Sequence, residues 1–313
     1  MNIIPIAFAF DNNLTMPAAV ALTSLLKNAA PETFYDIYIL HSEKEYLNKS
    51  LLSKIAKEFQ NYKLNYVTVG DTFDGAFEIR GITTPAYYRL LIPELIPEYN
   101  KVIYADADII FRMDLSEVYS LDLKENYIAA VKDPGINLTN EGVNYIKTLP
   151  NVKSGHYINS GFLIMNTSLM RQDNLVEKLK ATALHKWRFQ DQDTLNIVCS
   201  GRIYELPTKY NMMDSSYKFG LKELDKWETL YSALAFKEGL KEGNIHYNGH
   251  KPWKRWSVNF DIWWEYYRMS PIYNESYYFD FFYSRLNELD QLPLLKRIKI
   301  LVRYFIYPPK RQI

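Results

Sequence analysis

Residues 3–10 form an apolar run of strand length that stops at Asp11-Asn12-Asn13. A strand that is apolar at successive positions is covered on both faces, which calls for a sheet with helices on either side. The same rhythm continues. Thr15 and Pro17 are helix-start signals, and Ala18, Ala21, Leu22, Leu25 and Leu26 follow at helical spacing. Strands are predicted at 35–40, 64–69 and 101–105. Helices are predicted over 45–59, with Leu51, Leu52, Ile55 and Phe59 in phase, and from Thr84-Pro85 onward. Repeated βα units of this kind imply a parallel sheet, with ligands bound outside the carboxyl ends of its strands. Two predicted strands run straight into polar side chains at that end: 3–10 into Asp11-Asn12-Asn13, and 101–105 into Asp106-Ala107-Asp108. Both tails should open into one crevice.

The second half is less regular. Residues 127–131 and 162–165 read as strands, and 174–184 and 193–199 as helices. Residues 207–260 are rich in Tyr, Trp, Lys and Asn and read as loops and short elements over a site. From 294 the pattern changes. Leu294, Leu295, Ile298, Leu301, Val302, Phe305 and Ile306 fill one stripe of a helical wheel, while Lys296, Arg297, Lys299 and Arg303 lie off it, with Lys310 and Arg311 beyond. A basic amphipathic helix of this kind lies on an anionic membrane surface; the competing reading is a terminal helix docked on the domain. The expected organisation is a site-bearing domain at 1–260 and an aromatic, basic extension at 261–313.

A net charge of +1 on 313 residues excludes a strongly basic nucleic-acid binder. The single cysteine, Cys199, excludes a disulfide framework within the chain and lies in an apolar run, as a buried structural thiol would. The N-terminus lacks the basic region and cleavage site of a signal peptide, and its apolar run is too short to span a bilayer. A cytoplasmic protein is expected, with the tail touching the inner membrane face.

Asp106-Ala107-Asp108 is the sharpest chemical signal. Two carboxylates two apart at a strand end can meet one hard divalent cation, Mg²⁺ or Mn²⁺, which also bridges diphosphate oxygens. The competing reading is a pair of strand-end aspartates. His246, in Ile245-His246-Tyr247-Asn248-Gly249-His250-Lys251, offers a third ligand. Gly249 permits close backbone approach there, and Lys251 can hold a phosphate as a point charge. Asp191-Gln192-Asp193 precedes a predicted helix, so its acids suit either sugar hydroxyls or helix capping. Arg89 lies among apolar residues and needs a buried anionic partner. Asn159-Ser160-Gly161 could hydrogen-bond a sugar or simply form a turn.

Taken together, Phe8–Asn13, 83–90, 104–109, 157–166, 190–196 and 246–253 resemble the retaining glycosyltransferase family 8, which includes bacterial lipopolysaccharide galactosyl- and glucosyltransferases and glycogenin. The segments run in family order across about 250 residues. The resemblance implies a GT-A fold, a Rossmann-like mixed sheet flanked by helices, here with a helical C-terminal extension. It implies transfer from UDP-glucose or UDP-galactose, Mn²⁺ (or Mg²⁺) as cofactor, and a glycan or glycolipid acceptor. By position, Asp106, Asp108 and His246 correspond to metal ligands, and Asp11 and Asn13 to uridine and ribose contacts. Gly249 and Lys251 correspond to the diphosphate grip. Arg89, Asp106, Asn159, Asp191 and Gln192 correspond to the donor-sugar pocket, with Asp191 and Gln192 as the catalytic candidates. One departure is that Gly249-His250-Lys251 is a residue shorter than in some relatives, which could shift the lysine. A phosphohydrolase using Asp106 and Asp108 is the alternative from another enzyme class, although its motif would sit on the first strand. A non-catalytic sugar-binding relative is the third reading.

Overall fold

The computed structural model describes residues 2–78, 83–288 and 291–306. Two compact units divide the chain, Met1–Ile272 and Tyr273–Ile313. In the first, ten strands follow in order: β1 (Asn2–Ala9), β2 (Thr33–Ser42), β3 (Tyr62–Val69), β4 (Val102–Ala105), β5 (Ile109–Ile110), β6 (Ile128–Lys132), β7 (Ile158–Met165), β8 (Ile203–Glu205), β9 (Met212–Met213) and β10 (Ile245–His246). The main sheet has the order β3-β2-β1-β4-β7-β6-β8, and β5-β10-β9 form a small second sheet.

The first half matches the predicted alternation. Ile6, Ala7 and Phe8 on β1 are fully buried, as a strand covered on both faces requires. The helix Thr15–Lys27 buries Ala18, Ala21, Leu22, Leu25 and Leu26. It also packs against Lys49–Ser53 and Phe260–Met269, so apolar residues such as Ala19 and Val20 are buried as well. Each large apolar side chain removed from water contributes roughly 1.5–3 kcal/mol.

Three expectations need correction, and a fourth is sharpened. The parallel sheet read from the βα alternation gives way to the mixed sheet that the family resemblance implies: β7 runs antiparallel to both β4 and β6. The predicted helix over 45–59 shrinks to Lys49–Ser53 with a 3₁₀ turn at Lys54–Lys57, because Asn48 accepts the N–H of Leu51 and sets the start there. Asp191, Gln192 and Asp193 do not precede their helix; they form its first turn, Gln190–Val198. Residues 207–260 are loops and short elements, and most of the elements are helices. They hold the helices Asp214–Lys222, Leu224–Trp227 and Ala233–Glu242, gathered on Met212, Tyr217, Phe219, Trp227 and Phe236. That core is built from scattered aromatic residues, which leave no long aliphatic run to read.

In the second unit, Glu275–Leu286 and Leu294–Ile306 are helical. Leu294, Leu295, Ile298, Leu301, Val302 and Ile306 are exposed. Lys310 and Arg311 lie outside the described residues, as does the side chain of Phe305. No helix among the described residues is long and apolar enough to cross a membrane.

Candidate functional site

The strand directions bring the polar side chains together. β1 and β4 are parallel neighbours, with Ala7 opposite Tyr104, so Asp11 and Asp106 leave the same edge of the sheet. β7 pairs antiparallel with β4, Ala105 opposite Phe162, so its beginning, Asn159-Ser160-Gly161, arrives at that edge too. The N–H of Asp106 donates to the Gly161 carbonyl at 2.8 Å. The chain then turns, with Ile109 N–H donating to Asp106 O at 3.2 Å, and enters β5. β5 pairs with β10, His246 opposite Ile109. This pairing carries His246 to the two aspartates.

His246 Nε2 lies 3.5 Å from Asp106 Oδ2 and 3.3 Å from Asp108 Oδ1. One ligand atom from each of these three residues lies within 4.8 Å of the others. The ring is oriented from behind. Asn211 Nδ2 donates to Asn159 Oδ1 at 2.9 Å, which leaves Asn211 Oδ1 as the acceptor for His246 Nδ1, also at 2.9 Å. Asn211 therefore fixes the ring by accepting from Nδ1–H, and Nε2 faces the carboxylates. Asp108 Oδ1 is buried and makes no hydrogen bond, while Oδ2 pairs with Lys251 Nζ. Burial alone would raise the Asp108 pKa, but the Lys251 ammonium and the His246 ring outweigh it and hold the carboxyl well below its usual range. Two carboxylates, an orphaned oxygen and an oriented imidazole fit a hard divalent cation. Gly161 makes the assembly possible: a Cβ there would lie 2.3 Å from His246 Cε1 and 2.8 Å from Asp106 Oδ2.

Arg89 is the hub beside this cluster. It is 4% exposed and sits in the 3₁₀ helix Thr84–Leu91. Its NH2 pairs with Asp106 Oδ1 at 2.9 Å and its Nε with Asp191 Oδ2 at 3.1 Å. Its NH1 donates to the Ser160 carbonyl at 2.7 Å. The guanidinium lies 4.3 Å from the Tyr104 ring centre, and the Tyr104 hydroxyl donates to Asp106 Oδ1 at 2.7 Å. Burial works against the charge on Arg89, but the two aspartates keep it on. Asp191 accepts from Ser160 Oγ at 2.9 Å. Burial pushes its pKa up to about 6, against the pull of Arg89 and with a push from Asp106.

Gln192 is held at both ends. Its Oε1 accepts from Asn159 Nδ2 at 2.9 Å and from Ser160 N–H at 3.2 Å. Its Nε2 lies 3.3 Å from the Tyr157 hydroxyl and 3.4 Å from Asp133 Oδ2. Asp193 faces away from this cluster. It takes hydrogen bonds from the hydroxyls of Tyr145 and Tyr157 and from Phe189 N–H, so its role is structural. At the end of β1, Asp11 accepts from Asn13 N–H at 2.9 Å and from Thr83 Oγ1 at 3.2 Å, and the Asn13 side chain is exposed. Lys251 reaches Asp108 despite the short segment before it. Cys199 is buried, with its pKa pushed up to about 12 by burial, as befits an inert thiol.

Residues 5–257 match the family model described as glycosyl transferase family 8. The chain belongs to that family. Among curated relatives, a putative glycosyltransferase of Haemophilus influenzae is 28% identical over 217 residues, covering 67% of this chain and 63% of that protein. The chain therefore spans less than two thirds of that relative's length. A lipopolysaccharide 1,2-glucosyltransferase of Escherichia coli is 27% identical over 289 residues, covering 87% of this chain and 80% of that one. Among solved structures, the apo form of the bifunctional glycosyltransferase WbbM superposes with a TM-score of 0.72 at 24% identity, over 91% of this chain and 52% of that one. An active-site mutant of LgtC superposes with a TM-score of 0.72 at 23% identity, over 88% of this chain and 99% of that one. The mixed seven-stranded sheet flanked by helices is the GT-A fold of these glycosyltransferases.

Several residues of this cluster gave no motif-level signal. Asp133 follows β6 as Asp106 follows β4, so the strand-end rule could have found it. Asn211 is a buried amide between the apolar neighbours Tyr210 and Met212, the kind of polar residue that demands a partner. Tyr104 and Tyr157 read as core aromatics, and only their hydroxyl contacts set them apart.

Proposed function

We propose that this glycosyltransferase moves a hexose from UDP-glucose or UDP-galactose to a hydroxyl of a glycan or glycolipid acceptor, with retention of anomeric configuration. The convergence of Asp106, Asp108 and His246, with Lys251 on the same carboxylate, carries this reading. The three residues would hold Mn²⁺ or Mg²⁺, which when bound supplies a Lewis acid for the diphosphate oxygens. Lys251 and the backbone at Gly249 grip the diphosphate, and Asp11 and Asn13 receive the uridine. Arg89, Asp106, Asn159, Asp191 and Gln192 form the donor-sugar pocket. With a pKa of about 6, Asp191 is mainly ionised at neutral pH and places a negative charge beside the sugar as positive charge grows on its reacting carbon. The bond from that carbon to UDP breaks, the acceptor hydroxyl attacks from the same face, and its proton passes to a diphosphate oxygen. Gln192, fixed by Asn159, Ser160 and Asp133, orients the pocket wall.

A lipopolysaccharide-like acceptor at a membrane surface is the reading supported by the E. coli relative and by the exposed apolar stripe and basic side chains of Leu294–Ile306. The phosphohydrolase alternative is not retained, since family membership and the place of Asp106 after the fourth strand both stand against it. UDP release is the assay, run with a UDP-sugar panel and Mn²⁺. Asp108→Ala should lower turnover roughly a hundredfold or more, as loss of several kcal/mol of charge stabilisation requires. Near-normal UDP release by that variant at saturating Mn²⁺ would refute the metal assignment.

A further inference from the structure

We propose that Asp214 is a latch that holds the 248–250 segment in place and thereby positions Lys251. β9 and β10 are paired in parallel, with His246 opposite Met213. The two chains leave that pairing side by side, one into Asp214 and the other into Tyr247. Asp214 then engages three successive residues of the neighbouring chain. Its N–H donates to Asn248 Oδ1 at 3.3 Å. Its carboxylate faces the backbone N–H of His250. Between them, it lies so close to Gly249 that a Cβ there would come within 2.1 Å of Asp214 Oδ2 and 3.0 Å of Cγ. The next residue is Lys251, whose Nζ reaches Asp108 Oδ2 and the Tyr247 carbonyl.

The absence of a side chain at 249 thus has a specific cause in this chain. Gly249 is needed because Asp214 occupies the space that a Cβ would take. Asp214 lies at the start of Asp214–Lys222, a helix packed on the aromatic cluster around Trp227, so the anchor is rigid. It makes no hydrogen bond or ion pair with Lys251; its charge is felt by His246 and Lys251, but its hold on the position of the lysine runs through the backbone of residues 248–250. Asp214 is therefore a positioning residue, and the proposal rests on the reading that Lys251 grips the donor diphosphate.

Calorimetric titration with UDP in the presence of Mn²⁺ tests the latch on the full chain. Releasing the 248–250 segment from the carboxylate that packs on Gly249 should cost roughly tenfold in UDP affinity. Asp214→Ala is therefore expected to bind UDP about tenfold more weakly, and Asp214→Asn, whose amide oxygen still faces the His250 N–H, to recover most of that loss. The double variant Asp214→Ala/Lys251→Ala should lose much less than the product of the two single losses, because most of the latch's effect passes through that lysine. Additive losses in the double variant would overturn the latch and leave Asp214 a general structural residue. Gly249→Ala is expected to lose at least tenfold, and to regain affinity when combined with Asp214→Ala. Should Asp214→Ala fail to fold, Gly249→Ala alone decides: unchanged UDP affinity overturns the proposal. If Lys251→Ala binds UDP as well as the parent, the diphosphate grip fails and the latch fails with it. If Lys251→Ala is weak while Asp214→Ala is normal, the latch alone fails.

Discussion

Arg89→Met removes the charge between the buried Asp191 and half-buried Asp106 carboxylates while keeping much of the side-chain volume. In the parent, the guanidinium pairs with Asp106 and Asp191, donates to Ser160 and lies over Tyr104. Taking one partner from a buried ion pair costs about 3–5 kcal/mol, because the charge left behind has neither solvent nor counter-ion. With an unfolding entropy of about 2.1 cal/mol/K per residue over a unit the size of Met1–Ile272, this corresponds to a fall in Tm of roughly 5–9 °C. The loss should depend on pH in a definite sense. Asp191 already has a pKa of about 6, above the ordinary carboxylate value, so ionising it in the fold lowers stability as pH rises. Without Arg89 that pKa climbs further. Well below pH 6 both proteins carry the proton on Asp191 and its share of the deficit vanishes; at higher pH the deficit grows to its full size. Thermal melts at about pH 5 and pH 8 read this difference directly. Adding Asp191→Asn to Arg89→Met removes the orphaned charge and should recover a large part of the pH 8 loss. A deficit that is equal at both pH values, or a double variant less stable than Arg89→Met, would show that Asp191 is not the stranded group.

Two further outcomes follow from the site and the tail. Asn211→Ala frees the His246 ring and should raise the Mn²⁺ concentration for half-maximal UDP release about 10–100-fold; an unchanged requirement would sink the orienting role of the amide. Reversing the charges of Lys296, Lys299 and Arg303 to Glu should abolish co-sedimentation with anionic phospholipid vesicles at low salt while leaving UDP affinity intact, since each basic residue near such a surface contributes about 1 kcal/mol. Equal vesicle binding by parent and variant would remove the membrane reading.

The first half of the fold was legible because its strands are apolar on both faces and its acids stand at strand ends. Residues 3–10 and 101–105 needed only length, polarity and their terminal aspartates to be placed. Periodicity is local, however, and does not report strand direction. β7 runs antiparallel to β4 and β6, and nothing in the Phe162–Met165 pattern distinguishes it from a parallel strand. The helices at Asp214–Lys222 and Ala233–Glu242 were missed for a related reason: their core contacts are aromatic residues scattered among charges. The convergence of His246 with Asp106 and Asp108 was expected from the family resemblance, and the pairing of β10 with β5 is its physical cause. Asn211, Tyr104 and Asp133 escaped notice because each looks ordinary until its neighbours in space are known.

The small sheet β5-β10-β9 has a consequence for how the protein is made. Its middle strand is the last of the ten described strands to emerge from the ribosome, and it brings the histidine of the candidate cation centre. A nascent chain that stops short of residue 245 can build every strand of the large sheet, yet it exposes two aspartates without their third partner. Capacity to capture a cation should therefore appear abruptly once residue 246 has been made, so fragments that stop before it would be inert.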